Sequence, residues 1–263
     1  MNLFELKAFF KLLKAHPKKR LSQNFLIDKN IVQKILSEAL IVQGDYVLEI
    51  GSGLGILTKA LVNQKADVVG VEIDSLFAPV LEQFPITVYY EDILVFPLSR
   101  LKRKGKVIGN LPYHITKPIL TRLVPRKDCF TSLTIMVQEE VARRLTASPG
   151  TKDYGSLTVF LNFYSDLRYA FRVKRSSFYP IPKVDSAVVT LILKDPPNVN
   201  QEFFFRLVRT VFSQRRKMIK NTLRLLYDEE KVIKGLKEAK INPKARPEEL
   251  SLKEFLSLFH ALE

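Results

Sequence analysis

The sequence predicts an α/β protein: a doubly wound, mostly parallel sheet with a small all-α C-terminal domain. Two observations carry this. Across residues 45–193, short β-rich runs alternate with segments of helical spacing. Beyond residue 200 no good strand and only one glycine remain, and the pattern reads as three or four helices. The strand candidates are 45–50 (DYVLEI), 67–72 (DVVGVE), 86–91 (ITVYYE), 106–110 (KVIGN) and 132–137 (SLTIMV). Helical spacing falls at 28–40, with Asp28 as N-cap, and at 56–63, 75–84, 115–124 and 139–145. Two further runs, VFLNFY (159–164) and SAVVTLILK (186–194), read as late strands. Asp195-Pro196-Pro197-Asn198 continues neither strand nor helix, so the boundary is expected there. The expected organisation is a basic N-terminal extension (1–20), a catalytic domain (21–195) and a helical domain (200–263).

Composition narrows the function. With 46% hydrophobic and 26% charged residues the chain is neither disordered nor fibrous. Lys plus Arg total 42 against 27 acids, a net charge of +15, which points to a polyanionic partner. A single cysteine, Cys129, forbids an internal disulfide and suggests a reducing, cytoplasmic setting. Scattered His16, His114 and His260 with that cysteine make no zinc site, so no metal is expected. No run approaches the roughly 18–20 apolar residues of a membrane span, so no membrane partner is expected either. The first fifteen residues read as an amphipathic helix, with Leu3, Leu6, Phe10 and Leu13 on one face and Lys7, Lys11 and Lys14 on another. Arg and Ser are absent there and Glu5 is present, which favours a surface helix leading Lys18, Lys19 and Arg20 to the partner over a transit peptide.

Two motifs carry chemistry. Glu49-Ile50-Gly51-Ser52-Gly53-Leu54-Gly55 joins a predicted strand to a predicted helix, where a sharp turn and close ligand approach demand glycine. Its G-x-G-x-G spacing differs from the G-x-G-x-x-G of dinucleotide enzymes. Glu72, at the end of the next strand, is placed to accept bonds from both hydroxyls of a ribose, and Asp92, closing the third, to reach an adenine amino group. This series of acids suits S-adenosylmethionine. The second motif is Gly109-Asn110-Leu111-Pro112-Tyr113 after the fourth strand. An exocyclic base amine is a poor nucleophile because its lone pair is delocalised into the ring. The Asn110 side-chain carbonyl and the Leu111 backbone carbonyl supply two acceptors that draw that pair out, Pro112 fixes the turn, and Tyr113 offers a face on which a flipped-out base stacks.

Together these motifs resemble the ribosomal RNA adenine N6-dimethyltransferase family, KsgA type. The resemblance extends through Ser22-Gln23-Asn24-Phe25-Leu26, Gly70-Val71-Glu72-Ile73-Asp74, Glu91-Asp92-Ile93, the segment from Phe178-Tyr179-Pro180 to Val184-Asp185-Ser186, and Phe212-Ser213-Gln214-Arg215-Arg216-Lys217. It implies a Rossmann-like methyltransferase sheet. It implies S-adenosylmethionine contacts from Asn24, Leu26, Gly51, Gly53, Glu72, Asp92 and Asn110, and closure of Phe178 on the target base opposite Tyr113. The implied reaction is dimethylation of two adjacent adenosines in the 3′-terminal hairpin loop of small-subunit (16S) rRNA, within the small ribosomal subunit or its pre-rRNA. Ser22-Gln23-Asn24 and Tyr113-His114 look like the related enzymes acting on large-subunit rRNA. Gln214-Arg215-Arg216-Lys217 and the stretch from Ile241-Asn242-Pro243 to Leu250-Ser251 resemble the small-subunit enzymes, and these two blocks weigh more. DNA adenine methyltransferases share an Asn-Pro-Pro-Tyr tetrad, from which Leu111 departs. A non-catalytic assembly factor would not need Asn110 to Tyr113 intact.

Taken as one helix, residues 203–226 place Arg206, Arg209, Lys217, Lys220 and Arg224 on one sector and Phe204, Leu207, Val208, Val211, Met218, Ile219, Leu225 and Leu226 opposite. No acid interrupts the run, so it is expected to meet RNA phosphate, together with Arg215 and Arg216. Arg215 would fall amid the apolar side, and a break near Ser213-Gln214 is the expected resolution. Lys102, Arg103, Lys104, Lys106, Arg143 and Arg144 add further cations. Phe203, Phe204 and Phe205 are read as core. A basic surface aimed at a large RNA particle implies a monomer.

Overall fold

The protein is described by a computed structural model covering residues 3–12, 14–21 and 23–263, without the side chains of Leu3 and Lys19; Leu13 and Ser22, which carry readings above, lie outside the described residues. In chain order the elements are α1 Leu3–Leu12, β1 Phe25–Leu26, α2 Lys29–Glu38, β2 Tyr46–Ile50, α3 Ile56–Asn63, β3 Asp67–Val71, α4 Ala78–Leu81, β4 Thr87–Tyr89, β5 Gly105–Asn110 and α5 Thr116–Leu123. Then come β6 Phe130–Gln138, α6 Glu139–Leu145, α7 Ser156–Tyr164, β7 Ser165–Val173, β8 Phe178–Tyr179, β9 Ser186–Leu193, α8 Gln201–Ser213, α9 Ile219–Leu223, α10 Glu229–Glu238 and α11 Leu252–Leu262. The chain divides into two compact units, residues 1–142 with 167–194, and residues 143–166 with 195–263.

The first unit is built on a seven-stranded sheet in the order β4-β3-β2-β5-β6-β9-β7. The pairs β4–β3, β3–β2, β2–β5 and β5–β6 are parallel, and β6–β9 is antiparallel. Strand order reverses between β2 and β5, which makes their carboxyl ends the natural ligand crevice. Every residue of β2 is buried, as a central parallel strand covered on both faces requires. Asp28 caps α2, its Oδ1 accepting from the N–H of Asn30 at 2.9 Å, and Val32, Ile35 and Leu36 of that helix join Val47, Val68, Ile108, Met136 and Val188 in one core. The helix expected over 75–84 is shorter: a 3-10 turn at Ser75–Phe77 runs into the single turn of α4.

The second unit is helical; it corrects one reading and bears out another. VFLNFY is not a strand but the body of α7. Its β-branched and aromatic residues fill an aromatic core instead, Phe163 stacking on Phe204 at 5.1 Å between centroids and Phe204 meeting Phe259 at 5.7 Å. Packing thus overrides β-propensity; the late strand is β7, just after. The stretch 203–226 breaks where expected, at Ser213-Gln214. Gln214 leaves helical geometry (φ −129°, ψ 52°), and α9 begins only at Ile219. Arg215 is therefore exposed, and its Nη2 donates to the Lys152 carbonyl at 2.8 Å. Two supposed core residues also surface: Phe203 is 49% exposed under the Arg206 guanidinium, and Leu225 is 58% exposed.

Candidate active site

The glycine-rich turn follows β2 in the conformation its composition demands. Gly51, Gly53 and Gly55 have φ of +72°, +51° and +75°, in the left-handed region that side chains resist. The turn walls an open cleft at the carboxyl edge of the sheet. Gln23, Asn24, Phe25 and Leu26, Glu49 to Leu54, Glu72, Glu91, Asp92, and Asn110 to Tyr113 all line it. Among the described residues, the lining holds four acids and no Lys, Arg or His, in a chain whose net charge is +15.

Apart from Glu91, which pairs with Arg100, the acids are held by hydroxyl or backbone N–H donors. Glu72 is 5% exposed, its Oε2 taking the Gly53 N–H at 2.8 Å and its Oε1 the Asp74 N–H at 2.9 Å. Burial raises its pKa, and those two N–H donors oppose the rise. Glu49, 1% exposed, accepts the Thr58 hydroxyl at 2.6 Å on Oε2, while its Oε1 and the Ser52 hydroxyl are buried without a hydrogen-bond partner. Burial pushes the Glu49 carboxyl up to about 7, against the Thr58 hydrogen bond and with help from the Glu72 charge. Asp92 lies three residues beyond β4 rather than closing the strand; its Oδ1 accepts the Leu94 N–H at 2.8 Å, bending the chain into the cleft wall.

The Asn110 tetrad leaves the end of β5. The Asn110 side-chain N–H donates to the Asn24 carbonyl at 3.0 Å, fixing the amide so that Oδ1 is its remaining acceptor. Leu111 anchors through its N–H to the Met136 carbonyl at 3.0 Å, and the Pro112 carbonyl accepts from the Ile115 N–H and the Thr116 hydroxyl, each at 3.2 Å. The Tyr113 hydroxyl lies 3.0 Å from that of Ser186; burial raises its pKa, against that bond, so the phenol stays neutral.

One expected partner is not in the cleft. Phe178 is 1% exposed, opposite Leu26 in the β1–β8 pair and within the α2 core cluster, so its ring presents no face to a base. The alternating pleat explains this: Phe178 points to the core and the next residue, Tyr179, lies under Lys7 Nζ, 5.6 Å from its centroid. Lys18, expected to lead toward the partner, instead donates to the Asp74 carboxylate at 2.8 Å. Sequence alone gives no sign of the roles of Asp74 and Thr58, which depend on contacts between separate segments; only the position of Asp74 two residues after Glu72 hints at one of them.

Of the cations expected to meet RNA, Arg206, Arg209, Arg215, Arg216, Lys217 and Arg224 are exposed and Lys220 half-buried, all in the second unit. The break after α8 removes the single sector expected for them. Arg224 also has a partner, Glu229, supplied by α10 rather than by its own helix. Lys106 and Arg103 lie at the amino ends of the strands, away from the cleft, and pair with Asp45 at 2.8 Å and Asp67 at 3.3 Å.

The residues present fit S-adenosylmethionine. Glu91 pairs with Arg100 at 2.5 Å, but Glu49, Glu72 and Asp92 have no Lys or Arg bonded to them among the described residues; such acids suit a ligand bearing positive charge and hydroxyls, and would repel a pyrophosphate. Sheet, glycine turn and acid-lined cleft thus define a Rossmann-like methyltransferase. A structure titled as a putative RNA methyltransferase from Pyrococcus horikoshii shares the fold, with a TM-score of 0.50, 18% identity and 68% and 91% of the two chains covered. Residues 14–263 match the family described as Ribosomal RNA adenine dimethylase, and the chain belongs to that family. It is 51% identical to the Ribosomal RNA small subunit methyltransferase A of Protochlamydia amoebophila, over 98% of this chain and 95% of the relative, and 44% identical to that of Chlamydia trachomatis, over 100% and 98%. Among solved structures, a dimethyladenosine transferase from Plasmodium falciparum superposes with a TM-score of 0.79 at 28% identity, covering 89% and 95%. The 23S rRNA methyltransferase ErmE follows at 0.71 and 28%, covering 91% and 99%.

Proposed function

We propose that this enzyme dimethylates N6 of two adjacent adenosines in the 3′-terminal hairpin loop of small-subunit rRNA, acting as a cytoplasmic monomer during ribosome biogenesis. The observation that carries the reading is Asn110: an amide oriented by the Asn24 carbonyl, with its oxygen as a spare acceptor beside an acid-lined cleft. S-adenosylmethionine, when bound, supplies an electrophilic methyl group on a cationic sulfur. Glu72 would hold the ribose hydroxyls, Asp92 the adenine amino group, and Asn24, Leu26, Gly51 and Gly53 the surrounding contacts. Asn110 Oδ1 and the Leu111 carbonyl accept the N6 hydrogens of the target adenosine, turning its lone pair out of conjugation. Tyr113 stacks on the extruded base, a contact worth about 1–3 kcal/mol. The proton shed by N6 goes to water, so no general base is needed. Exposed Arg206, Arg209, Arg215, Arg216 and Lys217, with Lys220 and Arg224, would meet phosphate and recognise a folded RNA by shape.

The choice of small-subunit RNA is supported by the names of the relatives at 44–51% identity. The test offers the enzyme small ribosomal subunits lacking these methyl groups, fully methylated subunits, and large-subunit RNA. Labelling of the unmethylated small subunits alone is expected; labelling of the large-subunit RNA alone would overturn the substrate assignment.

A further inference from the structure

Lys18, Gln23, Glu72 and Asp74 form one relay between the N-terminal segment and the cleft. The Asp74 carboxylate is 4% exposed and faces the N-terminal segment, Oδ1 accepting Lys18 Nζ at 2.8 Å and Oδ2 accepting Gln23 Nε2 at 2.7 Å. Gln23 is held in turn, its Oε1 taking the Lys18 N–H at 2.7 Å. The backbone N–H of Asp74 points the other way, to Glu72 Oε1. Apolar contacts seat the same segment: Leu6 and Phe10 of α1 pack with Leu54 and Phe77, and Phe25 meets Phe77 edge-on at 5.5 Å. Burial works to raise the Asp74 pKa, but the Lys18 and Gln23 bonds outweigh it and hold the carboxyl below its usual range. The Leu76 N–H also donates to Oδ1, at 3.3 Å, but both side-chain partners of this buried carboxylate come from the N-terminal segment, so its charge is stabilised most when that segment is seated.

We propose that Asp74 is a positioning residue that couples seating of residues 18–24 to the orientation of Glu72, so that cofactor binding and ordering of the N-terminal segment become one event. The inference rests on the reading of Glu72 as the ribose acid. When Lys18 and Gln23 are in place, Asp74 presents its N–H to Glu72 and the carboxylate faces the cleft with its remaining lone pairs. When they leave, the buried charge must protonate or swing to solvent, and Glu72 loses one of its two N–H anchors. Coupling is reciprocal: a ligand that engages Glu72 also holds the segment down.

The test is calorimetric titration of the full chain with S-adenosylhomocysteine and with its analogue lacking both ribose hydroxyls. Asp74→Asn should weaken the parent ligand about tenfold, yet change binding of the dideoxy analogue less than about twofold. Lys18→Met should show the same ratio with a smaller loss, and the double variant should bind no worse than Asp74→Asn, because both act on one relay. Amide exchange at residues 18–24 should slow on ligand binding in the parent and not in Asp74→Asn. Equal weakening of both ligands, or weakening of neither, would overturn the coupling. Should Asp74→Asn fail to fold, the Lys18→Met ratio decides alone. Glu72→Gln is the separate control: retained discrimination between the two ligands there would defeat the ribose reading itself, whatever Asp74 does.

Discussion

The central strands carry polar groups at both ends, and the two ends treat them in opposite ways. At the amino edge Asp45 and Asp67 are neutralised by Lys106 and Arg103. At the carboxyl edge Glu49 and Glu72 are buried, held by a hydroxyl and by backbone N–H groups, with no Lys or Arg bonded to them among the described residues. Strand β5 shows the contrast within five residues, Lys106 closing one end in an ion pair and Asn110 opening the other to the cleft. An ion pair neutralises the charge of an acid; a neutral N–H bond fixes its position and leaves the negative charge for a ligand. The same strands are therefore finished as a structural seam on one edge and as a binding surface on the other.

The sharpest way to break this contrast is at Asn110. Asn110→Ala removes the acceptor proposed for N6 and should lower methyl transfer by about 10³-fold, in the range seen when a group stabilising developing charge is lost. The lost bond to the Asn24 carbonyl should weaken cofactor binding by no more than about tenfold. Single-turnover methylation beside calorimetry separates the two, and unchanged turnover would refute the role.

Glu49 gives the next effect, read in stability. Its folded pKa of about 7 lies above the unfolded value near 4.5, so between those values the folded protein holds the extra proton. Stability from this group is therefore full below about 4.5 and falls as pH rises toward 7, by about 3 kcal/mol in all. Glu49→Gln cannot titrate. Urea unfolding should show the parent losing that much more than the variant between pH 4.5 and pH 8. Parallel pH profiles would mean that the carboxyl is already ionised in the fold.

Much of this was legible in the sequence where a local rule decides. The ends of α3 and α6 fall where the periodicity puts them, Asp28 caps α2 as expected, and the glycine turn and the Asn110 tetrad share one cleft. Legibility failed where distant packing decides. VFLNFY has strand composition but joins an aromatic helical core, because burying Val159, Leu161 and Phe163 among helices outweighs a propensity of a few tenths of a kcal/mol per residue. Phe178 was read from its motif as a base-stacking ring, whereas its pairing with Leu26 turns it into the core. Arg224 looked unopposed within its own segment and meets Glu229 from the next helix. The Lys18–Asp74–Gln23 relay joins residues more than fifty positions apart, a separation no local pattern encodes.

The smallest effect belongs to the amino edge. Lys106 and Asp45 side chains are each 20% exposed and 2.8 Å apart, and Lys106 Nζ also donates to the Leu40 carbonyl at 2.6 Å. The pair is neither free in solvent nor sealed in the core. Its desolvation cost is modest, and removing the lysine leaves Asp45 able to reach water while still accepting the Val42 N–H at 2.8 Å. Lys106→Met keeps the apolar stem over the strand ends and should therefore cost only about 1 kcal/mol in urea unfolding. Because the substitution sits at the edge of the sheet away from the cleft, binding of S-adenosylhomocysteine should stay within about twofold of the parent. A large loss of binding from this variant would show that the two ends of β5 are energetically joined, and the division between structural seam and binding surface would have to be redrawn.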